Sequence, residues 1–346
     1  MIVKKFEVIP YKLNLKQPFI NANSKILYRE GYIVEIIDEL GNKAYGDISP
    51  FPGLSHESFE SLSPKTIEIK GVFVDNEIDS DIFNLLSDFP SMRFGISQAL
   101  HSIYILRNGY DPELKFSPTV LVNGVVGMVP QLQALHQIEN LIASGFTTIK
   151  IKVGRESIDE DVELIKMILN NFSENIKYRL DANGNWDIDQ TKYFINQISG
   201  INVEYLEQPV DSLKELIELS NTTDIPIAAD ESIRNEEDVN RLLEESNIKY
   251  YVLKPSILGA ITETIDLMKN IERKGRNVII SSAFESSIGR SALVFLASQL
   301  NNDKAHGLGV SNIFEKDIAE DEYPIVDGKI NFDERRYPPK FNTINK

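Results

Sequence analysis

The sequence predicts an α/β protein: a barrel of repeated strand–helix units, with a smaller α+β domain ahead of it. Short apolar strands recur along the C-terminal two thirds, and each ends on a charged or polar residue. Those residues are Lys152, Asp181, Glu207, Asp230, Lys254 and Ser281. They follow one another at roughly the 25 to 30 residues of one βα unit in a barrel of about 250 residues. The first hundred or so residues have a different texture. Alternating strands meet there at a tight turn, as in an antiparallel meander.

In chain order, residues 2–15, 31–37 and 43–47 read as the meander, with Leu40-Gly41-Asn42 as a turn. Helical patterns follow around residues 83–86 and 95–106. Residues 118–123 read as the first barrel strand, and 130–144 as a helix. Residues 147–153 are the clearest strand. Ile149, Ile151 and Val153 face one side, while Thr148, Lys150 and Lys152 face the other. Residues 177–181, 203–207, 226–230, 250–254 and 277–281 continue the series. Helical repeats such as Val162, Ile165, Met167, Ile168 and Leu169 lie between them. Ser157 with Glu160, and Ser212 with Glu215, have capping-box spacing. Residues 323–330 read as a terminal hairpin.

Composition removes several classes of function. A formal charge of −16 argues against nucleic acid or an anionic membrane as partner. There is no cysteine, hence no disulfide framework and no thiolate chemistry. The four histidines, His56, His101, His136 and His306, are scattered without zinc-ligand spacing. No stretch matches a P-loop or a dinucleotide fingerprint. Residues 1–15 lack a continuous apolar core, and no apolar run reaches membrane-spanning length. The expectation is a reduced, cytoplasmic protein, with its oligomeric state open.

Residues at the C-terminal ends of parallel barrel strands converge on one mouth. Asp181, Glu207 and Asp230 would repel one another there unless a cation sat among them. An all-oxygen set of this kind suits a hard divalent ion such as Mg²⁺. Lys152 and Lys254 then flank it. Buried ion pairs that only hold the barrel together are the plainer reading of the lysines. Arg179 shares the inward face and is expected to pair with the barrel acids.

Lys150-x-Lys152, Asp181-Ala-Asn183, Glu207-Gln-Pro209, Asp230-Glu231-Ser232 and Lys254-Pro255 together resemble the enolase superfamily. The similarity is to its lysine-pair branch of muconate cycloisomerases, dipeptide epimerases and o-succinylbenzoate synthases. The resemblance implies a modified TIM barrel, (β/α)7β, over residues 113–310. It also implies an α+β capping domain over 1–112, with 311–346 packing back on it. Lid loops would span 17–25 and 48–55, though Pro50, Pro52 and Gly53 also suit an ordinary turn. The family usually has Gly-Glu before the second loop, where this chain has Gly46-Asp47.

The same resemblance implies roles. Asp181, Glu207 and Asp230 would hold Mg²⁺, for which Mn²⁺ could substitute. Lys152 would remove a proton α to a substrate carboxylate, and Lys254 would stabilise the anion. Lys150, Asn183, Arg179 and Glu231 would support them, although Asn183 also suits a plain turn. No histidine occurs in 281–287, unlike mandelate racemase-like members, and no acid in 306–309, unlike dipeptide epimerases. The Ser281–Ser287 run resembles o-succinylbenzoate synthases. There, Ser281, Ser282 and the backbones of Gly307 and Gly309 would hold a small-molecule carboxylate substrate. An N-succinylamino acid racemase and a non-catalytic barrel that binds a metal and an acid remain alternatives.

Overall fold

The computed structural model describes residues 1–20, 25–77, 81–172, 175–300 and 303–341. Part of the expected 17–25 lid, residues 21–24, therefore lies outside the described residues. The N-terminal sheet is an antiparallel meander of β1 (Val3–Ile20), β2 (Lys25–Asp38) and β3 (Lys43–Ile48). Val8 faces Val34, and Ala44 faces Ile36. Period-2 alternation gives the sheet two apolar faces. Phe6, Val34 and Ile36 pack under helices, while Tyr11, Leu13 and Ile33 pack toward Ile288 and Phe314.

Three helices follow: α1 (Phe59–Phe73), α2 (Asp81–Asn84) and α3 (Pro90–Asn108). The sequence reading placed no helix here, and α1 carries Pro64 in its interior. A helix-interior proline costs about 3 kcal/mol. Leu62, Ile69 and Phe73 are fully buried on one face. At roughly 1.5–3 kcal/mol each, their burial outweighs that cost.

β4 (Thr119–Leu121) starts the C-terminal part. A parallel sheet then runs in order through β5 (Gly124–Val126), β6 (Thr148–Lys152), β7 (Lys177–Asp181), β8 (Tyr205–Glu207), β9 (Ile227–Ala229), β10 (Tyr250–Leu253) and β11 (Asn277–Ile280). The helices that accompany it are α4 (Gln131–Ala143), α5 (Ile158–Asn171), α6 (Ile188–Gln197), α7 (Leu213–Thr222), α8 (Glu236–Glu245), α9 (Pro255–Leu258), α10 (Ile261–Arg273) and α11 (Ser287–Ser298). Ser212 caps α7 as expected, accepting from the Glu215 N–H. Ser157 makes no side-chain cap on α5. The sheet curls closed through single parallel bridges, Ser281 to Gly307 and Val122 to His306. Residues 306–307 thus stand in for an eighth strand.

The first strand differs from the 118–123 expected. Residues 119–121 pair antiparallel with β13 (Lys329–Asn331), which forms a hairpin with β12 (Ile325–Val326). The parallel partner of β6 begins only at Gly124. Asp327 and Gly328 turn the hairpin, both at positive φ, the conformation a two-residue hairpin turn requires. The tail divides between the two layers. Phe314 bridges Leu15 of β1, whereas the hairpin extends β4. No helix among the described residues is long and apolar enough to cross a membrane.

Barrel closure has a pH signature. His306 is buried, and its Nδ1 accepts from the Ile280 N–H at 3.0 Å. Burial, then the Arg179 charge, depresses its pKa to about 3; burial depresses that of His101 to about 4. The unfolded chain protonates both near pH 6.5, so their contribution is present above that value and lost as pH falls toward the folded values. Each adds a slope approaching about 1.4 kcal/mol per pH unit. Asp47, raised to about 6 by burial, opposes them between pH 3.8 and 6. Urea unfolding of His306→Gln from pH 7 to 4 should show a shallower acid loss than the parent.

Candidate active site

The β6 pleat sets the geometry. Ile149 and Ile151 turn outward into the helix-packed core, which leaves Lys150 and Lys152 pointing inward. Register places Lys152 beside Asp181, and Asp181 beside Glu207. Asp230 and Lys254 follow the next two strands. All five of the inward acids and β6 lysines are buried, Lys150 and Lys152 retaining only 9% and 6% exposure. Isolated buried charges of this kind are untenable, and these are paired.

Lys150 Nζ lies 2.8 Å from both Asp181 Oδ2 and Glu207 Oε1. Lys152 Nζ donates to Asp181 Oδ2 at 2.6 Å and to Asn183 Oδ1 at 2.8 Å. Asn183 Nδ2 in turn donates to Glu231 Oε1 at 3.0 Å. Lys254 pairs with Asp230. The structure thus brings together Lys150, Lys152, Asp181, Asn183, Glu207, Asp230, Glu231 and Lys254.

Burial alone would lower the pKa of Lys150, but Asp181 and Glu207 outweigh it and raise it well above 10.5. Burial likewise opposes Lys254, which Asp230 and Glu231 raise. Glu207 is pushed well above the usual carboxylate range by burial and then by Asp181. Burial raises Asp181, yet Lys150 and Lys152 hold it below that range.

Among the described residues, no three acidic or imidazole side chains already converge as a ligand set. Ammonium groups lie against the carboxylates instead. Still, Glu207 Oε2 and Glu231 Oε2 are buried with no hydrogen-bond donor. An orphaned buried carboxylate oxygen is costly. Beside an all-oxygen cluster it fits a hard divalent cation.

Two residues, Ser282 and Gly307, depart from their expected roles. Arg179 pairs with a barrel acid as expected, though with Glu204 beside β8 and not with the strand-end acids. Its Nε binds Glu204 at 2.6 Å, and its Nη1 donates to Asn123 Oδ1 and the Ala305 carbonyl at 3.0 and 2.7 Å. It ties β7 to the two ends of the barrel. Ser282 donates its hydroxyl to Glu285, and its N–H goes to the Gly307 carbonyl. The Gly307 N–H is itself spent on the Ile280 carbonyl. Neither is a free donor for a substrate. A Cβ on Gly307 would fall 2.6 Å from Ser281 Oγ, so close approach explains that glycine. Ser281 keeps its hydroxyl beside Gly307, and Gly309 lies over the Asn123 carbonyl.

The sequence reading missed Gln208. Its Oε1 accepts from the Asp230 and Ser232 N–H groups, and its Nε2 donates to Ser232 Oγ and the Val210 carbonyl. It builds the loop that carries Asp230. Asn183, Gln208 and Phe284 all have positive φ without being glycine. Such strain costs about 1–3 kcal/mol each and gathers at functional sites.

Residues 133–336 match the family described as enolase C-terminal domain-like, and residues 3–103 match MenC, N-terminal domain. The chain is 27% identical over 321 residues to an o-succinylbenzoate synthase of Aliivibrio fischeri, covering 91% of this chain and 93% of that one. It is 26% identical over 324 residues to an L-Ala-D/L-Glu epimerase of Francisella tularensis subsp. novicida, covering 89% of each. Among solved structures, the substrate-liganded L-Ala-D/L-Glu epimerase of Bacillus subtilis superposes with a TM-score of 0.89 at 22% identity, over 96% and 97% of the two chains. The o-succinylbenzoate synthase of Thermosynechococcus elongatus BP-1, complexed with Mg in its active site, superposes with a TM-score of 0.74 at 26% identity, over 90% and 94%. The fold, the strand-end residues and the family match converge: the chain is an enzyme of the enolase superfamily, with an enolase C-terminal domain-like barrel.

Proposed function

We propose that this enzyme is an o-succinylbenzoate synthase. It would dehydrate 2-succinyl-6-hydroxy-2,4-cyclohexadiene-1-carboxylate to o-succinylbenzoate in menaquinone biosynthesis. The observation that carries this reading is the match of residues 3–103 to the MenC N-terminal domain. The absence of an acid in 306–309 weighs against a dipeptide epimerase.

Asp181, Glu207 and Asp230 would hold Mg²⁺, with Mn²⁺ able to replace it. When bound, the cation supplies Lewis-acid stabilisation of the negative charge that develops on the substrate carboxylate. Lys152 takes the proton from the carbon α to that carboxylate. The C–O bond to the ring hydroxyl then breaks, and the proton on Lys152 goes to the departing oxygen, releasing water. Lys254 reaches the mouth from after β10, while Lys152 does so from β6, with β7 to β9 between them. Asp230 and Glu231 favour the charged form of Lys254, which suits an electrostatic partner for the anion. Lys150 holds Asp181 and Glu207 in register. Asn183 and Glu231 orient Lys152.

A second reading is a lysine-pair racemase or epimerase, such as an N-succinylamino acid racemase. The 26% identical Francisella epimerase favours it. Steady-state assays with Mg²⁺ and with EDTA distinguish the two. Rapid aromatisation of the cyclohexadiene, abolished by EDTA and restored by Mg²⁺, is expected. A folded, Mg²⁺-loaded protein that leaves this substrate intact but exchanges the α-proton of N-succinylamino acids for deuterium would establish the racemase. No exchange into either would leave a barrel that binds without turnover.

A further inference from the structure

Asp47 occupies the seam between the N-terminal sheet and the barrel and is fully buried. Its Oδ1 accepts from the Tyr11 hydroxyl at 2.8 Å. Its Oδ2 accepts from both the N–H and the hydroxyl of Ser286, each at 2.8 Å. Its own N–H donates to Gln98 Oε1 at 3.1 Å, and Gln98 Nε2 donates to the Ile288 carbonyl at 2.7 Å. One residue thereby joins β1, β3, α3 and the start of α11.

Three glycines make this seam possible. A Cβ on Gly46 would lie 1.7 Å from the Gly95 carbonyl oxygen, and one on Gly95 would lie 2.8 Å from the Asp47 carbonyl. A Cβ on Gly289 would lie 2.7 Å from Asp47 Oδ2. None of the three has positive φ, so backbone freedom does not explain them; close approach does. Gly46 and Gly95 let the backbones of β3 and α3 touch beside Asp47, and Gly289 lets the start of α11 come against its carboxylate.

Asp47 also stands where two loops that border the barrel mouth meet. It immediately precedes residues 48–55, and its partner Ser286 ends the loop that follows β11. Arg29 braces the same junction, donating to the Ser49 and Phe284 carbonyls at 3.1 and 3.4 Å. The Phe284 ring packs on Phe19 and Phe51 at centroid distances of 4.6 and 6.0 Å.

We propose that Asp47 is a positioning residue that pins residues 48–55 and 281–286 together as one rigid wall of the substrate site, and that the glycine cage admits aspartate but not glutamate. Its side chain acts through Ser286 and touches no reacting atom. The catalytic consequence rests on the proposed function, whereas the pinning does not.

Amide hydrogen exchange of the intact protein without substrate tests the pinning. Asp47→Asn presents an NH₂ where Ser286 or Tyr11 now donates. Exchange should rise roughly tenfold or more in 48–55 and 281–287 together, while β6 to β9 stay protected. Asp47→Glu keeps the charge but needs space beside Gly289 that the packed start of α11 does not leave, and should loosen the same two segments. Ser286→Ala removes only the hydroxyl donor and should give a smaller rise in those segments, should Asp47→Asn not fold. In turnover assays Asp47→Asn should raise KM about tenfold and lower kcat less. Unchanged exchange in both segments, or loss of protection spread evenly through the barrel, would overturn the proposal. Wild-type exchange in Asp47→Glu would overturn the length requirement. If no variant or parent turns over the cyclohexadiene, the exchange results still decide the pinning, and only the functional reading fails.

Discussion

Lys152→Ala should lower turnover of the cyclohexadiene substrate by roughly 10³-fold or more, near the upper range for a positioned general base. Lys152 touches Asp181 and Asn183, and Lys150 separately holds Asp181 at 2.8 Å. Removing Lys152 therefore leaves Asp181 paired, and the fold should survive. Lys152→Arg provides the sharper control. A guanidinium stays protonated at any working pH, so it preserves charge and pairing but cannot accept the proton. Both variants should keep a far-UV spectrum and melting behaviour close to the parent while losing turnover. A Lys152→Arg protein that retained a tenth of the parent kcat would remove Lys152 from the role of base.

Lys150→Met carries the largest stability effect. Lys150 bridges two fully buried carboxylates, Asp181 and Glu207. Breaking a buried pair by removing one partner typically costs about 3–5 kcal/mol, because it leaves uncompensated charge. Glu207 is the exposed weakness, since burial and Asp181 already disfavour its ionised form. Urea denaturation in EDTA should show a loss of about that size. Mg²⁺ should recover part of it, because a ligand at a hundred times its Kd adds about 2.7 kcal/mol. A metal-free variant as stable as the parent would mean that Lys150 is not the counter-charge of this cluster. A loss that Mg²⁺ fails to reduce would count against Asp181, Glu207 and Asp230 as the metal ligands.

The sequence determined which side chains point into the barrel. Period-2 alternation in Thr148–Lys152 leaves no choice about where Lys150 and Lys152 face once Ile149 and Ile151 are buried. The βα spacing then brings the last residue of each strand to the same end, so Asp181, Glu207, Asp230 and Lys254 were legible as one cluster. Both are local properties of a periodic chain. What each residue bonds to is not local. Arg179 shares the inward face of β7 with Asp181, yet beyond Glu204 beside the neighbouring strand its partners are Asn123 and Ala305, which only barrel closure brings near. The Gly307 N–H looked free for a ligand, but it closes the barrel on Ile280. Helix α1 tolerates Pro64 in its interior because the burial of Leu62, Ile69 and Phe73 that offsets it is a tertiary gain. The aspartate at position 47 shows the same division. Its identity reads from the sequence as a departure from Gly-Glu. The space around its side chain is set only where Gly289, far away in sequence, packs so close that a Cβ there would lie 2.7 Å from Asp47 Oδ2. Periodicity specifies direction, and only packing specifies partners, because a hydrogen bond or a close contact depends on the one conformation in which distant segments meet.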